Sequence, residues 1–213
     1  MRLTFAALLL ALPSMLAATS NPATATAARP AADAATVSVP PERVALDTSL
    51  GRIVLELDAA KAPQTVANFL GYVESGHYNG TVFHRVVPNL LVQGGAYTPD
   101  LQPKPDRAPV PLEAGNGLSN LRGTIAAARR PDTRDSATAQ FFINVVDNPQ
   151  LDPVDASNAI GAGYAVFGRV VEGMEVVDRM RNVETGAQGP FAARVPTTPI
   201  VIERAVRLPG ADE

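Results

Sequence analysis

The stretch Phe83-His84-Arg85-Val86-Val87-Pro88-Asn89-Leu90-Leu91-Val92-Gln93-Gly94-Gly95 sets two short apolar runs on either side of a proline. Residues 81–86 and 91–93 carry the β-branched and bulky side chains that suit strands, and Pro88-Asn89 between them has turn chemistry. Gly94-Gly95 ends the second run. Arg85 and Gln93 stand eight positions apart across the connection, so neighbouring strands would present both side chains to one groove. There they would supply a permanently charged fork of donors and an amide that both donates and accepts.

Working upstream, Val44 and Leu46 and then Ile53, Leu55 and Leu57 alternate at period two, with turn residues at 47–51 between them, which predicts a hairpin. The period then changes: Pro63, Val66, Phe69, Leu70 and Val73 follow helical spacing, with Pro63 in the first turn and Gly76 at the stop. Downstream of Gly95 comes a loop holding Pro99, Pro103, Pro105, Pro109 and Pro111, too rich in proline for a central strand. Strands are expected again at 123–128, 140–145, 164–171 and 200–206, with a short helix at 172–180 that packs Val176, Val177 and Met180 on one side. Many short strands, two helices and no βαβ rhythm predict an antiparallel barrel with helical caps.

The opening stretch resembles the cyclophilin signature, in which F-H-R is followed, after four intervening residues, by a phenylalanine and, after two more, by Q-G-G. Three further blocks match that family in order: Gly123-Thr124-Ile125-Ala126-Ala127-Ala128, then Ser136-Ala137-Thr138-Ala139-Gln140-Phe141-Phe142-Ile143, then Tyr164-Ala165-Val166-Phe167-Gly168-Arg169-Val170. The match is closest to the bacterial exported branch. The resemblance implies a closed eight-stranded antiparallel β-barrel capped by two α-helices, and a peptidyl-prolyl cis/trans isomerase. It implies Arg85 as the catalytic group and Gln93 as the residue that holds the peptide backbone or orients Arg85. An apolar pocket of Phe142, Leu91, Leu90, Leu151 and Tyr164 would hold the substrate proline, while Ala128, Arg129 and Gln140 match positions that bind the substrate backbone. Phe83 and Phe141 are read as core.

Three positions depart from the pattern of the family that the chain resembles: Leu90 stands where most members have a pocket phenylalanine, and Gln150 and Tyr164 stand where the best-known eukaryotic members have tryptophan and histidine. The family's tight cyclosporin binding leans on that tryptophan, so the resemblance implies weak binding of the drug here.

Composition narrows the field independently. The chain has 213 residues, 46% of them hydrophobic, and such a length buries roughly 70% of its unfolded surface without a metal or crosslink. It has no cysteine, so disulfides and thiolate chemistry are excluded. No nucleophile elbow, phosphate-binding loop or H-E-x-x-H motif occurs, and His77 and His84, one ending a helix and one in a strand, read as structural. No metal or cofactor is implied. A formal net charge of −3 argues against nucleic acid as a partner.

At the N-terminus, Arg2 precedes an apolar run from Leu3 to Leu12 and then small residues, the layout of a secretory signal peptide and too short to span a bilayer. We therefore expect a signal peptide at 1–28, an Ala/Pro-rich tether at 29–42, the isomerase domain at 43–208 and a tail at 209–213. Export implies a periplasmic location. The expected partners are proline-containing segments of unfolded or folding exported proteins, met by a monomer without stable membrane insertion. Two other readings compete: a barrel that grips proline segments without catalysis, and one that carries an apolar ligand in its lumen, which bulky alternating side chains should fill instead.

Overall fold

The computed structural model describes residues 41–209, so the expected signal peptide and nearly all of the tether lie outside the described residues. Where the sequence alternates at period two, it forms strands in the expected places. β1 (Glu42–Thr48) and β2 (Gly51–Leu57) pair as an antiparallel hairpin, with Val44, Leu46, Ile53 and Leu55 fully buried. α1 (Pro63–Glu74) follows, sending Val66, Phe69 and Val73 into the core. Its N-terminus has no local side-chain cap. Glu113 from the proline-rich loop takes that role, accepting from the backbone N–H groups of Gln64 at 3.1 Å and Thr65 at 2.8 Å. A carboxylate there answers both the unpaired donors and the positive end of the helix.

The chain continues through β3 (Thr81–Val82), β4 (Arg85–Val87), β5 (Leu91–Gly94), β6 (Thr124–Ala127), β7 (Phe141–Asn144) and β8 (Val166–Glu172). Then come α2 (Met174–Arg181), β9 (Thr185–Gln188), β10 (Phe191–Pro196) and β11 (Val201–Leu208). Nine of the strands form one antiparallel sheet in the order β3-β11-β1-β2-β8-β6-β7-β5-β4, while β9 and β10 make a separate hairpin.

The expected closed eight-stranded barrel is therefore corrected: the sheet has nine strands and curls into an open half-barrel whose edge strands are β3 and β4. The run read as one strand at 81–86 divides at Phe83-His84. Thr81 and Val82 pair with β11, whereas Arg85, Val86 and Val87 pair with β5. Two consecutive pieces of one strand cannot form a ladder with each other, so the sheet's edges are joined by the covalent chain and not by hydrogen bonds. The β9–β10 hairpin was not expected. Of β10, only Val195 and Pro196 are buried, its register shifts between Phe191 and Val195, and Arg194 has φ of +71°, so no period-two signal exists there.

Strand pairing sorts side chains by face. Val86, Val92, Ile143 and Ile125 are register partners across β4, β5, β7 and β6, and all four are fully buried in the main core. Aromatic rings fill the space between this row and α1. Phe69 meets Phe141 edge to face at 5.5 Å, and the buried Tyr78 meets Phe141 at 5.4 Å while donating its hydroxyl to the Ala139 carbonyl at 2.8 Å. Phe83 and Phe141 are core residues, as expected, and the interior is packed with side chains instead of offering a lumen.

Candidate active site

Residues one step along each strand point to the opposite face. Arg85 pairs with Gln93, Gln93 with Phe142, Phe142 with Ala126, and Ala126 with Val166, so five strands contribute one transverse row to the outer side of the sheet. A row facing outward would ordinarily be polar. This one is polar only at its Arg85 end.

At that end, Arg85 Nη1 donates to Gln93 Oε1 at 3.0 Å, and Gln93 Nε2 donates to Gln140 Oε1 at 2.9 Å. Gln93 thus orients Arg85, and Gln140 orients Gln93. Arg85 spends one donor in this chain, and among the described residues no carboxylate pairs with it. Its remaining N–H groups are available to a ligand. Gly95 supports this geometry from behind: its φ is +94°, and a Cβ there would lie 2.9 Å from the Tyr78 ring and 3.0 Å from the Ala139 carbonyl oxygen.

The remainder of the row belongs to an apolar cluster separate from the main core. Leu91, Ala126, Ala128, Phe142 and Val166 form its buried floor, and Leu90, Leu118, Leu151 and Tyr164 pack against it while partly exposed. The structure therefore brings all the expected pocket residues together. Tyr164 stands edge to face with Phe142 at 5.5 Å. Sequence reasoning did not find Ala126 or Val166, whose only signal is their register opposite Phe142, nor Leu118, which sits in an irregular loop with no pattern at all.

Arg129 is placed differently from its neighbours. Its guanidinium is buried and donates to the carbonyls of Gly163 at 2.8 Å, Ala159 at 2.6 Å and Arg130 at 3.0 Å, with its charge 5.0 Å from the centre of the Tyr164 ring. The side chain is spent on holding the loop that leads into Tyr164, which leaves only its backbone to meet a ligand.

Behind the pocket lies a buried amide network that the sequence did not disclose. Asn120, Asn144 and Asn148 are at most 1% exposed. Asn148 Nδ2 donates to the Leu90 carbonyl and to Asn144 Oδ1, each at 2.8 Å, and Asn148 Oδ1 accepts from Gln150 at 3.1 Å. The Asn148 carbonyl accepts from the Leu151 N–H at 2.9 Å, and the Leu151 carbonyl from the Tyr164 N–H at 3.0 Å. Asn148 thus holds two pocket walls, Leu90 through its side chain and Leu151 through its own carbonyl, and Leu151 in turn holds Tyr164. Asn148→Ala is expected to cost about 2 kcal/mol, because it leaves buried polar atoms without partners. It should also raise KM more than it lowers kcat, measured by urea unfolding beside steady-state kinetics.

An apolar floor with an oriented, unpaired guanidinium at its edge is a site that grips a small apolar ring and offers donors to the atom beside it. The comparisons with known proteins agree. A family model described as cyclophilin type peptidyl-prolyl cis-trans isomerase/CLD matches residues 43–207. The chain is 55% identical over 162 residues to the peptidyl-prolyl cis-trans isomerase cyp18 of Streptomyces antibioticus, covering 76% of this chain and 96% of that one. It is 54% identical over 162 residues to peptidyl-prolyl cis-trans isomerase A of Dickeya dadantii, covering 76% and 82%. A crystal structure of a Cryptosporidium parvum cyclophilin type isomerase, determined in the presence of the dipeptide Ala-Pro, superposes with a TM-score of 0.65 at 24% identity, covering 79% of this chain and 99% of that one. The chain belongs to the cyclophilin-type peptidyl-prolyl cis-trans isomerases.

Proposed function

We propose that this isomerase acts on X-Pro bonds of exported polypeptides, seating the proline ring on Leu90, Leu91, Phe142, Leu151 and Tyr164 with Arg85 facing the imide nitrogen. The observation that carries this reading is the Arg85–Gln93–Gln140 chain set directly beside the apolar floor. Rotation about the bond opposes amide resonance, a barrier of about 18–20 kcal/mol. As resonance is lost, the nitrogen regains a lone pair that a guanidinium N–H can meet, so donors fixed in advance favour the twisted amide over both planar isomers. No bond is made or broken to carbon. The reaction therefore calls for neither a covalent intermediate nor a metal.

Gln93 and Gln140 retain amide hydrogens for the substrate backbone, as do the backbone groups around Ala128 and Arg129. Gln150, in the position where the best-known eukaryotic members of the family carry tryptophan, is tied back to Asn148 and supplies no aromatic wall. The Arg2 to Leu12 pattern supports export to the periplasm, and we take the protein to work there as a monomer on folding clients.

Two measurements test the reading. The purified protein should speed the cis-to-trans relaxation of an Ala-Pro tetrapeptide well beyond its uncatalysed time of about 10–100 s. In a cell fractionation, a shortened form should appear with the periplasmic markers. Failure to accelerate the peptide would remove the assigned site chemistry, and a full-length product in the cytosol would remove the assigned location.

A further inference from the structure

Arg129 is only 8% exposed, and no carboxylate pairs with it among the described residues. Burying a charge is costly, so its partners have to compensate. They are backbone carbonyls drawn from different turns of the chain: Nε donates to Gly163 at 2.8 Å, Nη2 to Ala159 at 2.6 Å, and Nη1 to Arg130 at 3.0 Å and Pro131 at 3.3 Å. A rigid planar fork of donors spans them together. The same guanidinium lies 5.0 Å from the centre of the Tyr164 ring, within cation–π range.

The loop it holds, residues 152–163, leaves the apolar cluster at Leu151 and returns to it at Tyr164, with the Tyr164 N–H closing the base on the Leu151 carbonyl at 3.0 Å. Its two arms touch: Gly163 has φ of +70°, and a Cβ there would stand 2.5 Å from the Pro153 nitrogen. The loop's large apolar side chains, Val154 and Ile160, are 84% and 87% exposed, so they do not anchor it. Polar ties do that work. Asp152 fixes the outgoing end by accepting from the Asn120 N–H at 2.7 Å, and Arg129 fixes the returning end at the residue directly before Tyr164. The further tie from Arg134 to the Ala156 carbonyl is exposed, whereas the Arg129 bond to Gly163 is buried and charge-assisted, the stronger kind.

We propose that Arg129 is a positioning residue of the proline pocket: its side chain sets the Tyr164 ring against Phe142 and so controls how tightly the proline is held, without itself meeting the substrate. This rests on the reading of Leu90, Leu91, Phe142, Leu151 and Tyr164 as the proline pocket. The ring connects the two, since it meets the guanidinium at 5.0 Å and stands edge to face with Phe142 at 5.5 Å. The Arg85–Gln93–Gln140 chain has no hydrogen bond to Arg129, so rotation of the bound peptide does not depend on it. Arg129 acts on binding.

The test is steady-state kinetics on an Ala-Pro peptide for Arg129→Gln and Arg129→Lys, each made alone and in Tyr164→Ala and Tyr164→Phe backgrounds. Tyr164→Ala alone should raise KM, and Tyr164→Phe, which keeps the ring, should not. Arg129→Gln should raise KM about tenfold with kcat within about twofold, both alone and in Tyr164→Phe. In Tyr164→Ala it should add nothing, because the wall it positions is gone. Arg129→Lys, with one charged centre in place of the fork, should fall between Arg129→Gln and the wild type. KM is set by the molecules that turn over, so a partly unfolded preparation does not alter it, and circular dichroism gives the folded fraction to which kcat is referred. An unchanged KM in Arg129→Gln, while Tyr164→Ala raises it, overturns the positioning role and leaves the pocket standing. An equal rise in the Tyr164→Ala background means that Arg129 acts without the ring and overturns the role as well, as does a loss confined to kcat. Failure of both Arg129 variants to fold makes the guanidinium a requirement of the fold and overturns its assignment to the pocket. If Tyr164→Ala leaves KM unchanged, the pocket reading falls and this inference falls with it.

Discussion

Arg85→Ala is expected to lower kcat/KM for an Ala-Pro peptide by about 10²–10³-fold, the usual loss on removing one preorganised donor aimed at developing charge. The fold should survive, because the side chain is only half-buried and makes one hydrogen bond, to Gln93. On the proposed role, in which the guanidinium meets the twisted amide and not the planar one, the loss should fall on kcat and leave KM little changed. Arg85→Lys offers a sharper comparison. It keeps the charge but loses the fork that bonds Gln93 and the substrate together, so it should recover only a minor part of the activity. If Arg85→Ala leaves kcat within a few-fold of the wild type while its circular dichroism is unchanged, the guanidinium does not carry the reaction.

Fold and site were legible in the sequence wherever one local rule decided the outcome. Alternation placed β1 and β2 and their inward residues, helical spacing placed α1, and the short Pro88-Asn89 connection brought Arg85 opposite Gln93. Phe142, Leu91, Leu151 and Tyr164 came from resemblance, and no periodicity would have separated Phe142 from its core neighbour Phe141. That separation is a matter of face, and the face follows from register with β5 and β6. The Asn120, Asn144 and Asn148 network could not be read at all. Asparagines near turns are ordinarily solvated, and their burial here arises only when loops distant in sequence close over one another. The break between β3 and β4 was hidden for a related reason. Phe83 and His84 have the composition of a strand, yet the Phe83 N–H bonds the Ile200 carbonyl at 2.9 Å while Arg85 two residues later already pairs with β5. The two halves of one apolar run thus serve opposite edges of the sheet.

That break gives the largest stability effect expected. His84 is 3% exposed, its Nδ1 has no hydrogen-bond partner among the described residues, and its ring packs on Tyr97 at 4.7 Å and Phe191 at 5.6 Å. Burial pushes its pKa from 6.5 down to about 4, with the neighbouring Arg85 charge acting in the same direction and a backbone hydrogen bond with Val82 opposing both. Above pH 6.5 the imidazole is neutral in the folded and unfolded chain alike, and the stability is present in full. As the pH falls from 6.5 towards 4, the unfolded chain takes up a proton that the folded chain refuses, so stability is lost across that window and no further below it. The loss is about 3 kcal/mol, from the depression of the pKa at 1.36 kcal/mol per unit. Urea unfolding of the wild type and of His84→Gln at pH 7.5, 5.5 and 4.0 measures it. The wild type should lose about 3 kcal/mol more than the variant over this range. His77, whose pKa is also lowered chiefly by burial, contributes equally to both proteins and cancels in the difference. Because His84 joins the edge strands directly before Arg85, the protein should also lose isomerase activity in the same pH interval in which it loosens. Parallel stability profiles for the two proteins would show that the buried ring accepts its proton without disturbing this joint.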